Sequence, residues 1–169
     1  MLIRELERKD LSAIKELAAI TWKDTYQALI PLHIQKKTLK QAYSAAAMNK
    51  RFENSLMLVA VVQNEIKGYA FLSQEKYGRV HLEALYVHPY SQRKGIGKEL
   101  IETGIGYFPS IKRITLNILK GNENLSFYEK MGFVAMKEES SVEFSGYPVK
   151  FIHMSKKIRA DVQVERDHC

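Results

Sequence analysis

A chain of 169 residues, 46% hydrophobic and 27% charged, is composed like one globular domain able to bury about 70% of its unfolded surface. Its single cysteine, Cys169, stands at the C-terminal end, which excludes an internal disulfide and a cysteine-built metal centre, and no run approaches the roughly 18 apolar residues of a membrane helix. The net charge of +7 invites a nucleic-acid reading, but the basic residues are scattered and no RNA-recognition aromatics, zinc-finger spacing or reader helix accompany them, so nucleic acid is not an expected partner.

Met1-Leu2-Ile3-Arg4-Glu5 opens a mixed segment rather than a signal peptide, so the cytoplasm is the expected compartment. Leu2 to Glu5 reads as a short strand. Asp10 is placed to cap a helix whose apolar residues Ile14, Leu17, Ala18, Thr21 and Trp22 recur at the spacing of one buried face. Pro31 breaks the chain before a second helix, about Ile34 to Met48. Leu56 to Gln63 and Ile66 to Gln74 read as a hairpin turning at Asn64-Glu65, and Arg79 to Val87 as the next strand. A helix follows from Gly95 to Tyr107, then a strand at Lys112 to Leu119 and a short helix at Asn122 to Met131. Phe133 to Glu139 and Val149 to Lys157 are the last strands, joined through a turn at Ser145-Gly146-Tyr147-Pro148. No repeat or linker interrupts this order, so residues 1–158 form one expected domain, with residues 159–169 a charged, frayed tail.

The most informative run is Leu85-Tyr86-Val87-His88-Pro89-Tyr90-Ser91-Gln92-Arg93-Lys94-Gly95-Ile96-Gly97-Lys98. A strand gives way to a basic, glycine-punctuated loop that opens directly into a helix. The first N–H groups of a helix lack intrahelical acceptors, and glycines let a ligand approach the backbone, so this is the build of an anion site. Arg93, Lys94 and Lys98 add positive charge, and a phosphate is the expected guest. A nucleoside-triphosphate loop is excluded, because Glu99 stands where Ser or Thr must follow Gly97-Lys98. A dinucleotide fingerprint fails as well, because Leu100 occupies the place of its third small residue.

Gln92-Arg93-Lys94-Gly95-Ile96-Gly97 after a strand and before a helix resembles the acetyl-coenzyme A pyrophosphate loop of the GCN5-related N-acetyltransferase (GNAT) superfamily. The segment Asn122 to Phe133 agrees independently: it resembles the GNAT segment in which an Asn contacts the cofactor and a Tyr four residues later faces the thioester sulfur, the places of Asn124 and Tyr128. Residues at i and i+4 share one helical face, so both can line one groove. The order of elements matches the GNAT fold throughout, although the specific likeness is confined to about Leu82 to Lys98 and Asn117 to Phe133. That resemblance implies an α/β (α+β) fold: a central mixed, mostly antiparallel sheet, splayed in the middle and flanked by about four helices. The main chain of Leu85, Tyr86 and Val87 would then pair with the cofactor's pantetheine arm, and Gln92, Arg93, Lys94, Gly95, Ile96, Gly97 and Lys98 would hold its phosphates, without a metal.

The same resemblance implies direct transfer of an acetyl group from acetyl-coenzyme A to an amine. Tyr128 is the expected general acid; packed in the core, it would instead bond a backbone carbonyl. Glu83 stands where many relatives place a carboxylate that draws the amine proton through water, or else is an edge-facing strand charge; on an alternating strand it shares the face of Leu85. His81 and His88 could titrate usefully or be satisfied surface groups. Trp22, Tyr26 and Tyr147 are candidate walls for a cationic amine, with a core role open for Trp22. The segment Trp22-Lys23-Asp24-Thr25-Tyr26 and the hairpin Phe144 to Pro148 look similar to small bacterial polyamine-type acetyltransferases. A small amine is therefore the expected substrate, with a peptide or protein amine, or a non-catalytic coenzyme A-binding module, as alternatives; a homodimer is compatible with this reading.

Overall fold

The computed structural model describes residues 1–158; the tail expected over 159–169, with Cys169, lies outside the described residues. The chain enters through β1 (Leu2–Glu5) and a 3₁₀ turn (Arg8–Asp10) into α1 (Leu11–Tyr26). Ile14, Leu17, Ala18, Thr21 and Trp22 are its buried residues, the stripe set out by their spacing. Asp10 does not cap this helix with its side chain. Its carboxylate turns back instead, accepting two bonds from the Arg4 guanidinium, at 2.8 and 3.1 Å, and one from the Glu7 N–H at 2.8 Å.

The single helix expected from about Ile34 to Met48 is two: α2 (Leu32–Ala42) and α3 (Ala45–Asn54). Ser44 breaks them apart because its hydroxyl accepts from the Ala47 N–H at 3.2 Å and so starts a new helix. With α4 (Ile96–Gly106) and α5 (Leu125–Lys130) the described residues hold five α-helices rather than about four. The strands are β2 (Ser55–Val62), β3 (Glu65–Ser73), β4 (Arg79–Val87), β5 (Arg113–Leu119), β6 (Val134–Phe144) and β7 (Tyr147–Lys157). Two hairpins turn on pairs of left-handed residues, Gln63-Asn64 (φ 51° and 65°) and Ser145-Gly146 (φ 52° and 83°), the geometry that matches strand twist across a two-residue loop. The first turn thus sits one residue earlier than expected.

The seven strands form one sheet in the order β1-β2-β3-β4-β5-β7-β6. Every neighbouring pair is antiparallel except β4 with β5. That parallel pairing is short: Arg79 to Leu82 lie beside Arg113 to Leu116, and beyond them the strands part. Opposite the same point, β4 slips against β3, with Phe71 facing Ala84 and Leu72 facing Leu82, so that Glu83 is an extra, bulged residue. The bulge inverts the alternation. Leu82 packs with Leu100 and Ile101 of α4, and after Glu83 it is Leu85 and Val87 that face this layer. Ala84 and Tyr86 face the opposite layer, built on Ile14, Leu17 and Trp22 of α1. Glu83 therefore does not share the face of Leu85 by simple alternation.

Arg4 and Asp10 tie β1 to the start of α1, and the Arg4 guanidinium holds the buried Asp10 carboxyl below its ordinary range. A depressed folded value stabilises above the unfolded pKa of about 3.9 and ceases to do so as pH falls through the folded value. Asp10→Asn is expected to cost about 1–3 kcal/mol at pH 7, a fall of several degrees in Tm. Melting curves of wild type and variant converge as pH falls through the lowered folded value; a constant gap across pH would show that the ion pair is not the cause.

Candidate active site

Where β4 and β5 part, a cleft of about 910 Å³ opens between them. One end is built by the loop into α4. Arg93 (φ 62°) and Gly95 (φ 86°) are both left-handed, which turns the chain sharply so that Gly95 caps the helix. The first helical bond runs from the Glu99 N–H to the Gly95 carbonyl at 3.0 Å, leaving the N–H groups of Ile96, Gly97 and Lys98 free of helical acceptors. Arg93, Gly95, Ile96, Gly97 and Lys98 line the cleft here, as does Lys130 from the end of α5. Lys94 is exposed and is not among the lining residues, so the structure does not bring it to the cleft. Gln92 lines the cleft but spends its side-chain amide on the Val87 carbonyl at 3.2 Å, fixing the loop to the end of β4.

Gly97 is not left-handed, and its smallness has a packing reason beside its place on the cleft. It lies in the first turn of α4, and a Cβ there would stand 3.2 Å from Cζ of Phe127 and 3.6 Å from a Leu85 methyl. Its missing side chain lets α5 pack against the start of α4.

Glu83, Leu85, Tyr86 and Val87 form one wall. Past Leu82 the side of β4 that faced β5 has no strand partner, so main-chain groups of Leu85, Tyr86 and Val87 are open to the cleft. The Tyr86 side chain is core: its hydroxyl accepts from Trp22 Nε1–H at 3.0 Å and from the Tyr43 hydroxyl at 3.3 Å. Opposite, Asn124 caps α5 from the outside, and the Tyr128 N–H donates to the Asn124 carbonyl at 3.4 Å, so the i, i+4 relation holds although the helix starts later than Asn122. Asn122 instead accepts the Asn124 N–H on its side-chain oxygen at 2.8 Å. Tyr128 lies edge-to-face with Phe127 and Phe133, and its hydroxyl has no hydrogen-bond partner among the described residues. Burial pushes this phenol well above its ordinary range, so it stays protonated.

The other end is aromatic and acidic. Trp22 and Tyr26 from α1 line it together with Phe144, whose ring lies 5.3 Å from Trp22 and 6.2 Å from Tyr26. Tyr147 is absent from the lining; it stands next to the turn at the tip of the hairpin and packs into the α1-side core. Glu83 and Glu143 supply carboxylates, and His81 sits beside them. His88 does not line the cleft; its Nδ1 accepts the Tyr90 N–H at 3.2 Å. Lys130 and Asn117 are lining residues to which sequence reading gave no role, whereas Phe144 belongs to the hairpin singled out there and Glu143 immediately precedes it.

A family profile described as "Acetyltransferase (GNAT) domain" matches residues 20–158. The chain belongs to the GNAT acetyltransferase family. A curated relative, the peptidyl-lysine N-acetyltransferase YjaB of Salmonella typhimurium, is 30% identical over 103 residues, covering 60% of this chain and 65% of its own length. Among solved structures, the PaiA N-acetyltransferase of Thermoplasma acidophilum, in complex with coenzyme A, superposes with a TM-score of 0.80 at 25% identity, over 93% of this chain and 98% of that one. YncA of Salmonella typhimurium, a putative acetyltransferase solved with its cofactor acetyl-CoA, shares the fold at a TM-score of 0.67 and 19% identity, with 96% of each chain covered. In this GNAT domain no helix among the described residues is long and apolar enough to cross a membrane.

Gly97→Val forces two methyl groups against Phe127 and is expected to cost about 1–3 kcal/mol through overpacking. Adding Phe127→Leu makes room, so the double variant regains part of that loss in a thermal melt; strictly additive losses would break the assigned contact.

Proposed function

We propose that this chain transfers the acetyl group of acetyl-coenzyme A to a small cationic amine, with polyamines the preferred class. The observation that carries the reading is the polarity of one continuous cleft. A basic end rich in free N–H groups suits a pyrophosphate. An end lined by Glu83, Glu143, Trp22 and Tyr26 suits an alkylammonium, held by carboxylate charge and aromatic faces. Between the two lie the unpaired edge of β4 and the Tyr128 hydroxyl.

These residues fit acetyl-coenzyme A on their own chemistry. The free N–H groups of Ile96, Gly97 and Lys98, with Arg93 and Lys98 as cations, would hold its phosphates, and the open main chain of Leu85 to Val87 would pair with its amide-bearing arm. When bound it supplies an activated acetyl thioester. The chain's own contribution is first positional: two reactants lined up in one groove gain up to roughly 7–11 kcal/mol over free encounter. A backbone N–H of the open β4 edge can donate to the carbonyl oxygen as it gains charge. Tyr128, kept neutral by burial, donates its hydroxyl proton toward the leaving sulfur.

A second reading has its own observation. The curated relative at 30% identity is named as acting on peptidyl-lysine, so a lysine side chain is the alternative acceptor. A panel of spermidine, spermine, free amino acids and lysine-containing peptides, read by coenzyme A release, decides between them. Polyamines turning over with the highest kcat/KM support the proposal; turnover confined to peptides transfers it to the second reading. A coenzyme A-binding module without catalysis would release none with any amine.

Tyr128→Phe keeps the ring and removes one hydroxyl. Affinity for coenzyme A is expected to survive while kcat falls by roughly 10²–10⁴-fold. Unchanged turnover at saturating substrate would leave Tyr128 with a packing role only.

A further inference from the structure

An aliphatic amine with a pKa near 10.4 is neutral in only roughly one part in 2,500 at pH 7, so an ammonium bound by carboxylates must lose a proton before it can attack. The proton needs an acceptor in the cleft and a way out that does not pass the bound reactants.

A second cavity, about 510 Å³, opens at the far end of β4, lined by Asn54, Ser73, Lys76, Arg79 and Thr115 among others. His81 is the one residue that lines both this cavity and the reaction cleft. It stands on the last paired stretch of β4 before the strands part, opposite Thr115 of β5. Its main-chain N–H donates to the Ser73 hydroxyl at 2.8 Å, and its Nδ1 lies 2.7 Å from Thr115 Oγ1. Nε2 has no hydrogen-bond partner among the described residues. One ring nitrogen is therefore engaged with a hydroxyl on the second cavity, and the other is unspent.

Resting on the acetyl-transfer reading, we propose that His81 takes the amine proton from the reaction cleft on Nε2 and discharges a proton through Thr115 into the second cavity. The ammonium N–H bond breaks as Nε2–H forms. The imidazolium then gives its Nδ1 proton to Thr115 Oγ1, whose own proton passes to water, and the ring returns to its starting tautomer by exchange with solvent. The second proton lost by the nitrogen on acylation replaces the one that Tyr128 gives to sulfur. One proton is released per turnover, the number that acylating an ammonium requires.

The surroundings of His81 suit the role. From its own strand it faces Glu83, from β7 His153, and from the end of β6 Glu143, while Lys76 and Arg79 line the second cavity. Burial lowers its pKa most; Glu83 and Glu143 oppose that and His153 reinforces it. The ring is consequently neutral, and able to accept, at pH 7. The exposed Glu83 is left to hold the ammonium charge.

The test is kcat/KM for total amine from about pH 5.5 to about pH 9.5. With ammonium as reactant and a neutral base, wild type is flat through neutral pH and falls only as His81 protonates in acid. His81→Gln, which keeps a polar partner for Thr115, is expected to lose roughly 10²-fold at pH 7 and to rise tenfold per pH unit toward wild type in alkali. Added imidazole restores the rate of His81→Ala, an effect no folding defect produces. Thr115→Val lowers kcat several-fold with KM unchanged. A flat profile retained in His81→Gln, or lost in Glu83→Gln instead, overturns the assignment and gives the proton to Glu83. No effect of Thr115→Val overturns the exit route. A wild type that acetylates no amine fails at the proposed function itself, which is a different result from an active wild type with a profile of constant slope.

Discussion

The site depends on one interrupted strand pairing. The parallel register of β4 with β5 ends at Leu82 and Leu116, and in a closed sheet its continuation would have set Glu83, Ala84 and Leu85 opposite Asn117, Ile118 and Leu119. Glu83, inserted against β3 at that same point, bends β4 away and turns Leu85 and Val87 into the α4 layer. Unpaired backbone in a sheet interior is costly unless something else bonds it, and here the opening is a cleft that a ligand's own amides can enter. The sheet on either side is conventional, with antiparallel neighbours running through both edges. The structural cost is therefore confined to the place where binding can offset it.

Holding such an opening needs walls that do not collapse into it. On the α1 side the wall is a chain of aromatic contacts: Trp22 donates to Tyr86, Tyr43 donates to the same hydroxyl, and Phe144 packs edge-on against Trp22 and Tyr26. Behind them the Arg51 guanidinium lies over both the Tyr43 and Phe71 rings at about 4.5 Å and donates to the Ala42 carbonyl at 2.7 Å. A cation seated on two aromatic faces and a helix C-terminal carbonyl fixes α3 to the end of α2 without an acidic partner. The Thr38 and Ser145 hydroxyls, 2.8 Å apart, add a tie from α2 to the tip of the last hairpin. On the α5 side the wall stands on Phe127, seated against Gly97.

What could be read from the sequence was local. The buried stripe of α1 and the turn at Gly95 each follow from residues close together in the chain. The break between α2 and α3 was hidden because neither Gly nor Pro marks it, only Ser44. β6 extends to Phe144, beyond the expected Glu139, as an edge strand whose side chains are nearly all exposed, so no alternation of polar and apolar residues outlines it. The face of Glu83 could not be read at all, because a bulge is a relation between β4 and β3 and leaves no mark on either strand alone. The pairs Gly97 with Phe127, Trp22 with Tyr86 and His81 with Thr115 join distant segments in the same way.

The chain's charge of +7 says little about the cleft, where sign changes along its length. Arg93, Lys98 and Lys130 stand at one end, Glu83 and Glu143 at the other beside Tyr26, and the Tyr128 hydroxyl lies between them. Burial raises the pKa of Tyr26, Tyr86 and Tyr128 alike, so all three stay neutral. A neutral, weakly polar middle disfavours a charged amine more than a free one. On the proposed acetyl transfer, an ammonium would be attracted to the acidic end and penalised as it moved toward the centre, and its proton would have to leave on the way. His81, beside the carboxylates and on the last residues of β4 still paired with β5, is the group proposed to take it.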